Sequence, residues 1–138
     1  MATFTSYIRL STDGDGDVCP LTDRVAAIVG EAGVERGVAV VFAPGATVAV
    51  TTMEFEPGGV ADLKTTLDRL IPPDASYEHN RLNHDTNSHA HIRAAIVGPS
   101  EAIPIEAGRL LLGTWQQIVL VDFDDRTRER TVLVSVLS

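Results

Sequence analysis

Residues 79–91 read HNRLNHDTNSHAH and hold all four histidines of this 138-residue chain, His79, His84, His89 and His91. Asn80, Asn83, Asp85 and Asn87 stand between them. Imidazole titrates near neutrality, so such a cluster suits proton transfer, metal ligation or the grip of an anion. Zinc takes three or four ligands at about 2 Å, most often histidine nitrogen, cysteine sulfur or carboxylate. His79, His89 and His91 are the candidate metal set, with Asp85 as a further donor. A histidine-held ion is Zn²⁺ or another transition metal, because Mg²⁺ prefers carboxylates and water. The spacing matches no strong metal signature. The H-x-H at 89–91 shares one side of a strand, but two such residues on a helix diverge by about 200°.

An anion is the competing guest. If Asn87 or Ser88 caps a helix, His89 and His91 fall in its first turn, where free backbone N–H groups and the helix dipole favour negative charge. Ser88, the two imidazoles and Arg93 then add donors. The same helix end disfavours imidazolium when no anion is present, so a neutral histidine there serves as a base or a metal ligand. A single histidine is more often a hydrogen-bonded structural residue than a functional one. Four within thirteen positions, mixed with Asn and Asp, read as at least two lining a site, with His84 assigned to a surface loop. Asp85, His89 and His91 are the candidate acid–base group. Arg81 and Arg93 are the only basic side chains near them.

The elements that must hold this stretch are legible in outline. Phe4, Tyr7, Ile8 and Leu10 suit a first strand, and DGDGD at 13–17 a solvated turn. That turn lacks the Gly and Glu an EF-hand would place at Val18 and Arg24. Thr22 is placed to cap a short helix carrying Val25, Ile28, Val29 and Ala32, which Gly33 ends. Val38–Phe42 and Thr47–Thr52, separated by APGA, read as a hairpin. The clearest helix is 57–71, with Pro57 in its first position, Val60, Leu63, Leu67, Leu70 and Ile71 as its apolar stripe, and Pro72–Pro73 as its stop. A third helix runs from the cap at 87 or 88 to about Val97, ends at Gly98–Pro99, and carries enough Ala, Ile and Val to be packed on most sides. Ile103–Ile105 is a short strand. Thr114–Phe123 and Arg130–Leu137 are long ones joined by DDRTRE, and their apolar runs predict cover on both faces. The sum is one α+β domain, 1–138, of mostly antiparallel strands with about three helices.

Composition bounds the function. At 44% hydrophobic residues the chain fills a core, and it is aliphatic because aromatics make up 5%. A formal net charge of −8 argues against non-specific nucleic-acid binding. It leaves room for a small phosphorylated ligand in a locally basic pocket. Cys19 is the single cysteine, so no internal disulfide forms. No signal peptide and no membrane-length apolar run is visible, and the expectation is a cytoplasmic protein without a membrane partner.

Four strings then carry a resemblance: YEHN at 77–80, DTNSHAH at 85–91, GPS at 98–100 and GRLLLGTWQQ at 108–117. In this order they closely resemble the YjbQ-like family, also called the secondary thiamine-phosphate synthase family. The G-x-L-x-L-G-T-W-Q string is its most specific signature. The likeness extends over nearly the whole chain and takes in Glu54, the P-x-x-T at 44–47, and an R-x-R at Arg128 and Arg130. The resemblance implies a compact α+β domain assembling as a homotrimer, with a pocket near the subunit interface. It implies a weak activity joining a pyrimidine diphosphate to a thiazole phosphate. Carried over by position, the pocket residues are Glu54, His79, Asn80, Asp85, Asn87, His89 and His91. Two departures stand out. Gly45 occupies the place of a family histidine, which predicts one polar contact fewer and a reduced metal affinity or a changed substrate, and Met53 replaces a family Asn. Trp115 is read as a buried structural residue and Gln116 as a partner for the 79–91 backbone. Non-catalytic binding of a metal or anion by a trimer is the alternative.

Overall fold

The computed structural model describes residues 2–138. Its elements are β1 (Thr3–Thr12), β2 (Asp17–Pro20), α1 (Thr22–Ala32), β3 (Arg36–Phe42), β4 (Val48–Met53), α2 (Pro57–Leu70), α3 (Glu78–Asn83), α4 (Ser88–Val97), β5 (Ser100–Glu106), β6 (Arg109–Leu110), β7 (Gln117–Asp122) and β8 (Arg128–Leu137). The eight strands form two antiparallel sheets, ordered β1-β8-β3-β5-β6 and β2-β7-β4. The class is α+β as expected, with four helices rather than three. No helix among the described residues is long and apolar enough to cross a membrane.

The sheets pack face to face. Ile8, Ala39, Val41, Ile103, Val132 and Val134 from the larger meet Val48, Val50, Ile118 and Leu120 from the smaller, and α1 closes the layer with Leu21, Val25, Ile28 and Val29. The small sheet buries its other face too. Ala49, Val119, Val121 and Phe123 meet Ala90 and Ala94 of α4, with Leu67 of α2 at the margin. Strand β7 is therefore covered on both sides, which is why residues 118–123 are an unbroken apolar and aspartate run with every position buried. Strand β8 is different. Its positions alternate between buried and half-buried, so it has one covered face, not two.

The expected hairpin is absent. Strand β3 pairs with β5 and β8, whereas β4 pairs with β7. Residues 43–47 cross from one sheet to the other instead of turning back. Thr47 accounts for this. Its hydroxyl donates to Asp124 Oδ2 at 3.2 Å and accepts from Arg130 Nη2 at 2.9 Å, and its carbonyl accepts from Phe123 N at 2.9 Å. These bonds lay the next strand on β7. The two last strands, read as a joined pair, likewise lie in different sheets.

The helix ends follow local chemistry. Glu56 caps α2, its carboxylate accepting from Gly58 N at 2.9 Å and from Gly59 N, with Pro57 in the first turn. No residue of α2 is fully buried, and Leu70 is exposed. Gly33 ends α1 in the left-handed conformation, at φ 65°. Thr22 does not cap α1. Leu21 holds that position, and the Thr22 hydroxyl accepts from Ile118 N at 2.9 Å, tying the helix to β7. Helix α4 is less enclosed than expected: Ala95 and Ile96 lie on the surface. Trp115 is 72% exposed, contrary to its expected burial. The turn closed by Gln116 N on Gly113 O keeps it outside, and β7 begins two residues later. Gln116 bonds Thr52 Oγ1 and Gly113 N, not the histidine stretch.

Candidate functional site

The histidine stretch folds into α3 and the start of α4, joined by a tight turn. Tyr77 anchors the entry by donating its hydroxyl to Pro72 O at 2.7 Å. His84 ends α3 in the left-handed region, φ 52°, and is exposed, which agrees with its surface assignment. Asn87 takes the cap position of α4, but its side chain does not cap the helix. Asn80 does that work from α3, its Oδ1 accepting from Ser88 N at 3.0 Å. One of the amides expected to receive an anion is thus already bonded inside the chain.

The turn brings His79, Asp85, Asn87 and His91 together. His79 Nε2 lies 3.2 Å from Asn87 Oδ1 and 3.6 Å from Asp85 Oδ2. Both are acceptors, so Nε2 carries the proton. His79 Nδ1 then accepts from Asn83 Nδ2 at 3.4 Å. The His91 ring stands 4.6 Å from that of His79, tilted by 59°. His91 Nδ1 donates to Ala46 O at 3.1 Å, which leaves Nε2 outside that bond. Beside His91 lies a hollow of about 270 Å³ lined by Gly45, Ala46, Val48, Ala94, Ala95 and Pro99. The sheet-to-sheet crossover forms one wall and α4 the other.

The structure keeps other expected members apart from this group. His89 is buried, and two residues from His91 on a helix it points elsewhere. Among the described residues its Nδ1 is the buried side-chain polar atom without a partner. Burial, and then the Arg93 charge, lower its pKa against the pull of Asp125, Asp15 and Asp124, so it is neutral. Arg93 is buried too. Its guanidinium donates to Ile71 O at 2.7 and 3.2 Å and to Asp68 Oδ1 at 3.1 Å, joining α4 to the end of α2. Ser88 is buried at the helix start. Glu54 is exposed beyond the far end of β4, eight residues from Ala46 and so roughly 25 Å along an extended chain.

Among the described residues no group of three or more His, Cys, Asp or Glu side chains is placed to hold a metal ion. Both nitrogens of His79 face other side chains, and His89 is buried. Cys19 offers no nucleophile. Burial and then the Asp17 carboxylate push its pKa up to about 12.

Sequence reasoning missed an ionic network behind the crossover. Asp122 and Asp124, both fully buried, meet Arg128 and Arg130. Arg130 grips Asp122 with Nε at 2.7 Å and Nη2 at 2.9 Å, and Thr12 donates to the same carboxylate at 2.5 Å. Arg128 Nε donates to Asp124 at 2.8 Å. Two pairs spaced i, i+2, D-x-D and R-x-R, were the available signal, since such residues share one side of a strand. Burial alone would raise the Asp124 carboxyl. The bonds from Arg128, the Asp125 amide and Thr47 outweigh it and hold the pKa at about 2. A depressed carboxyl stabilises the fold above its unfolded value near 3.8 and loses that contribution as pH falls toward 2. The expected loss is on the order of 2 kcal/mol between pH 5 and 2. Urea midpoints measured across that range test it, and Asp124→Asn flattens the slope.

The profile of the family described as "UPF0047 protein YjbQ-like" matches residues 6–138. A UPF0047 protein of Archaeoglobus fulgidus is 35% identical over 130 residues, covering 94% of this chain and 98% of its own. One from Mycobacterium tuberculosis is 39% identical over 120 residues, covering 86% of each. A crystal structure from Sulfolobus solfataricus, described as a YbjQ-like protein of unknown function, superposes with a TM-score of 0.94 at 32% identity, over 99% of this chain and 98% of that one. A Clostridium acetobutylicum member of the same family gives 0.88 at 38% identity, over 96% and 99%.

Proposed function

We propose that this chain, which belongs to the YjbQ-like UPF0047 family, is an acid–base enzyme acting on a small phosphorylated molecule beside His79 and His91. One observation carries the reading. His91 has its Nδ1–H fixed on Ala46 O, so Nε2 is free, oriented and next to a hollow of small-ligand dimensions. His79 supports it at 4.6 Å, and Asp85 and Asn87 hold His79 in one tautomer. The finer reading is a transferase of the thiamine-phosphate synthase type. There the thiazole nitrogen attacks the methylene carbon of the pyrimidine diphosphate, the carbon–oxygen bond breaks, and diphosphate leaves with the electron pair. A protonated His91 donates to the departing oxygen, so the chemistry required is a proton donor at that point. Assembly as a homotrimer completes the reading, supported by the exposed Leu70, Ile96, Leu111 and Trp115, which a subunit contact would cover.

A second reading, binding without turnover, draws on the rest of the hollow. Apart from His91 its lining residues are Gly45, Ala46, Val48, Ala94, Ala95 and Pro99, none of which titrates. The test is a coupled assay for thiamine phosphate on the wild type and His91→Asn, run beside titration calorimetry with inorganic diphosphate. Turnover in the wild type that falls in the variant supports the enzyme. Equal turnover in both overturns it, and diphosphate binding with no turnover selects the second reading. Zinc at one per chain, lost in His79→Ala, would replace the metal-free site with a metal centre.

A further inference from the structure

A second hollow, of about 430 Å³, shares no lining residue with the one beside His91. One wall is the turn between β1 and β2, residues 13–18. The other is the chain entering α2, with Phe55, Glu56, Pro57 and Val60. That wall is apolar apart from Glu56, and Phe55 is left 41% exposed. The turn is anchored to the end of β7. Asp15 N donates to Asp124 O at 2.7 Å and Gly16 N to Asp122 O at 2.8 Å. Gly14 permits so close an approach, because a Cβ there would stand 2.5 Å from Arg126 O and 2.6 Å from Asp124 O. Opposite it, the Glu56 cap fixes the start of α2. The hollow thus lies between two held segments, not beside a free loop.

We propose that this hollow binds a small organic cation, a protonated amine carried on one compact apolar body. Phe55, Pro57 and Val60 take the body, and Asp13 and Asp15 take the charge. The four carboxylates of the lining are not equivalent. Glu56 uses both oxygens on Gly58 N and Gly59 N, and Asp17 Oδ2 accepts from Asp13 N at 2.9 Å. Among the described residues the side chains of Asp13 and Asp15 form no hydrogen bond or ion pair, and no Lys, Arg or His lines the hollow. An ammonium group supplies the N–H donors that two unengaged carboxylates accept. A bare divalent ion is the poorer guest. It needs oxygens converging on one point, and among the described residues no three acidic side chains do so. It would also leave the apolar wall uncovered. The volume suits one small molecule. A net charge of −8 adds a general pull on cations. This site stands apart from His91 and does not depend on any reaction there.

The experiment titrates the full chain, labelled with nitrogen-15, with 2-phenylethylammonium, its uncharged counterpart 2-phenylethanol, a tri-lysine peptide and calcium chloride. Backbone amide resonances and calorimetry are followed. The expected result is a saturable shift with the aryl amine, at one per chain, in the amides of residues 13–18 and 55–60. The alcohol and the peptide bind more weakly by roughly ten-fold or more, since each lacks one half of the match. In Asp13→Asn with Asp15→Asn the amine loses a similar factor. Asparagine tolerates the left-handed backbone of Asp15, φ 53°, so the turn keeps its shape, which an unchanged melting curve checks. If the double variant does not fold, the comparison of amine with alcohol on the wild type decides alone. Several results overturn the inference: no saturable shift with the amine, shifts outside the two walls, equal affinity for the alcohol, or wild-type affinity in a folded variant. Peptide binding as tight as the amine overturns it too, because charge alone would then be recognised. Displacement of the amine by calcium at one per chain replaces it with an inorganic cation site.

Discussion

His91→Asn is expected to lower turnover by roughly 10²–10⁴-fold, the usual contribution of a positioned acid or base. The substitution isolates one atom. The Asn amide reproduces the Nδ1–H donor that meets Ala46 O at 3.1 Å, so the loop contact survives. What disappears is Nε2, the ring nitrogen outside that bond, on a residue that lines the hollow. The loss should fall on kcat more than on KM, because a group that moves a proton only in the transition state adds little to ground-state binding. His79→Gln should cost less, since His79 Nε2 faces Asn87 and Asp85 rather than the hollow. Steady-state kinetics with circular dichroism on each variant check this. A His91→Asn enzyme that keeps its rate would remove His91 from the chemistry.

Asp122→Ala is expected to destabilise the chain by about 3–5 kcal/mol, the cost of leaving a buried charge unpaired. Arg130 is 12% exposed at its side chain and would lose both of its bonds to that carboxylate. Thr12 loses its 2.5 Å acceptor and keeps only the 3.4 Å contact to Arg128 O, and the Asp124 amide loses the Oδ1 it meets at 3.1 Å. Set against a total stability of about 5–15 kcal/mol, this is a large share. Urea unfolding measures it. The double variant Asp122→Ala with Arg130→Met should be less harmed than the single one, because the unpaired charge has gone too. A single variant within about 0.5 kcal/mol of wild type would show that the network contributes no net stability.

Helix α2 was readable because all its signals are local: Pro57 at the start, an apolar residue every three or four positions, and two prolines after the end. The apolar run of β7 announced a strand covered on both faces, and that cover is present. Helix α3 was hidden. Its six residues, EHNRLN, contain one apolar side chain and show no period. Strand partners were misread for another reason. Val38–Phe42 and Thr47–Thr52 have the composition of strands, but Thr47 finds its bonds at Asp124 and Arg130, some eighty positions away. Propensity contains no information about such contacts. The site divides the same way. The stretch 79–91 stands out as a candidate site from residue type and density. The selection of His91 over His89 depends on which side of α4 meets Ala46, a tertiary fact.

The position of Trp115 has a practical outcome for spectroscopy. It is the chain's sole indole, and it lies 72% in solvent within a short turn ahead of β7. Its emission should therefore change little when the isolated subunit melts, since the ring is wet before and after. The same fluorophore becomes a clean reporter of contact, because any surface that settles over it moves the ring from water into a drier setting and shifts its light toward the blue.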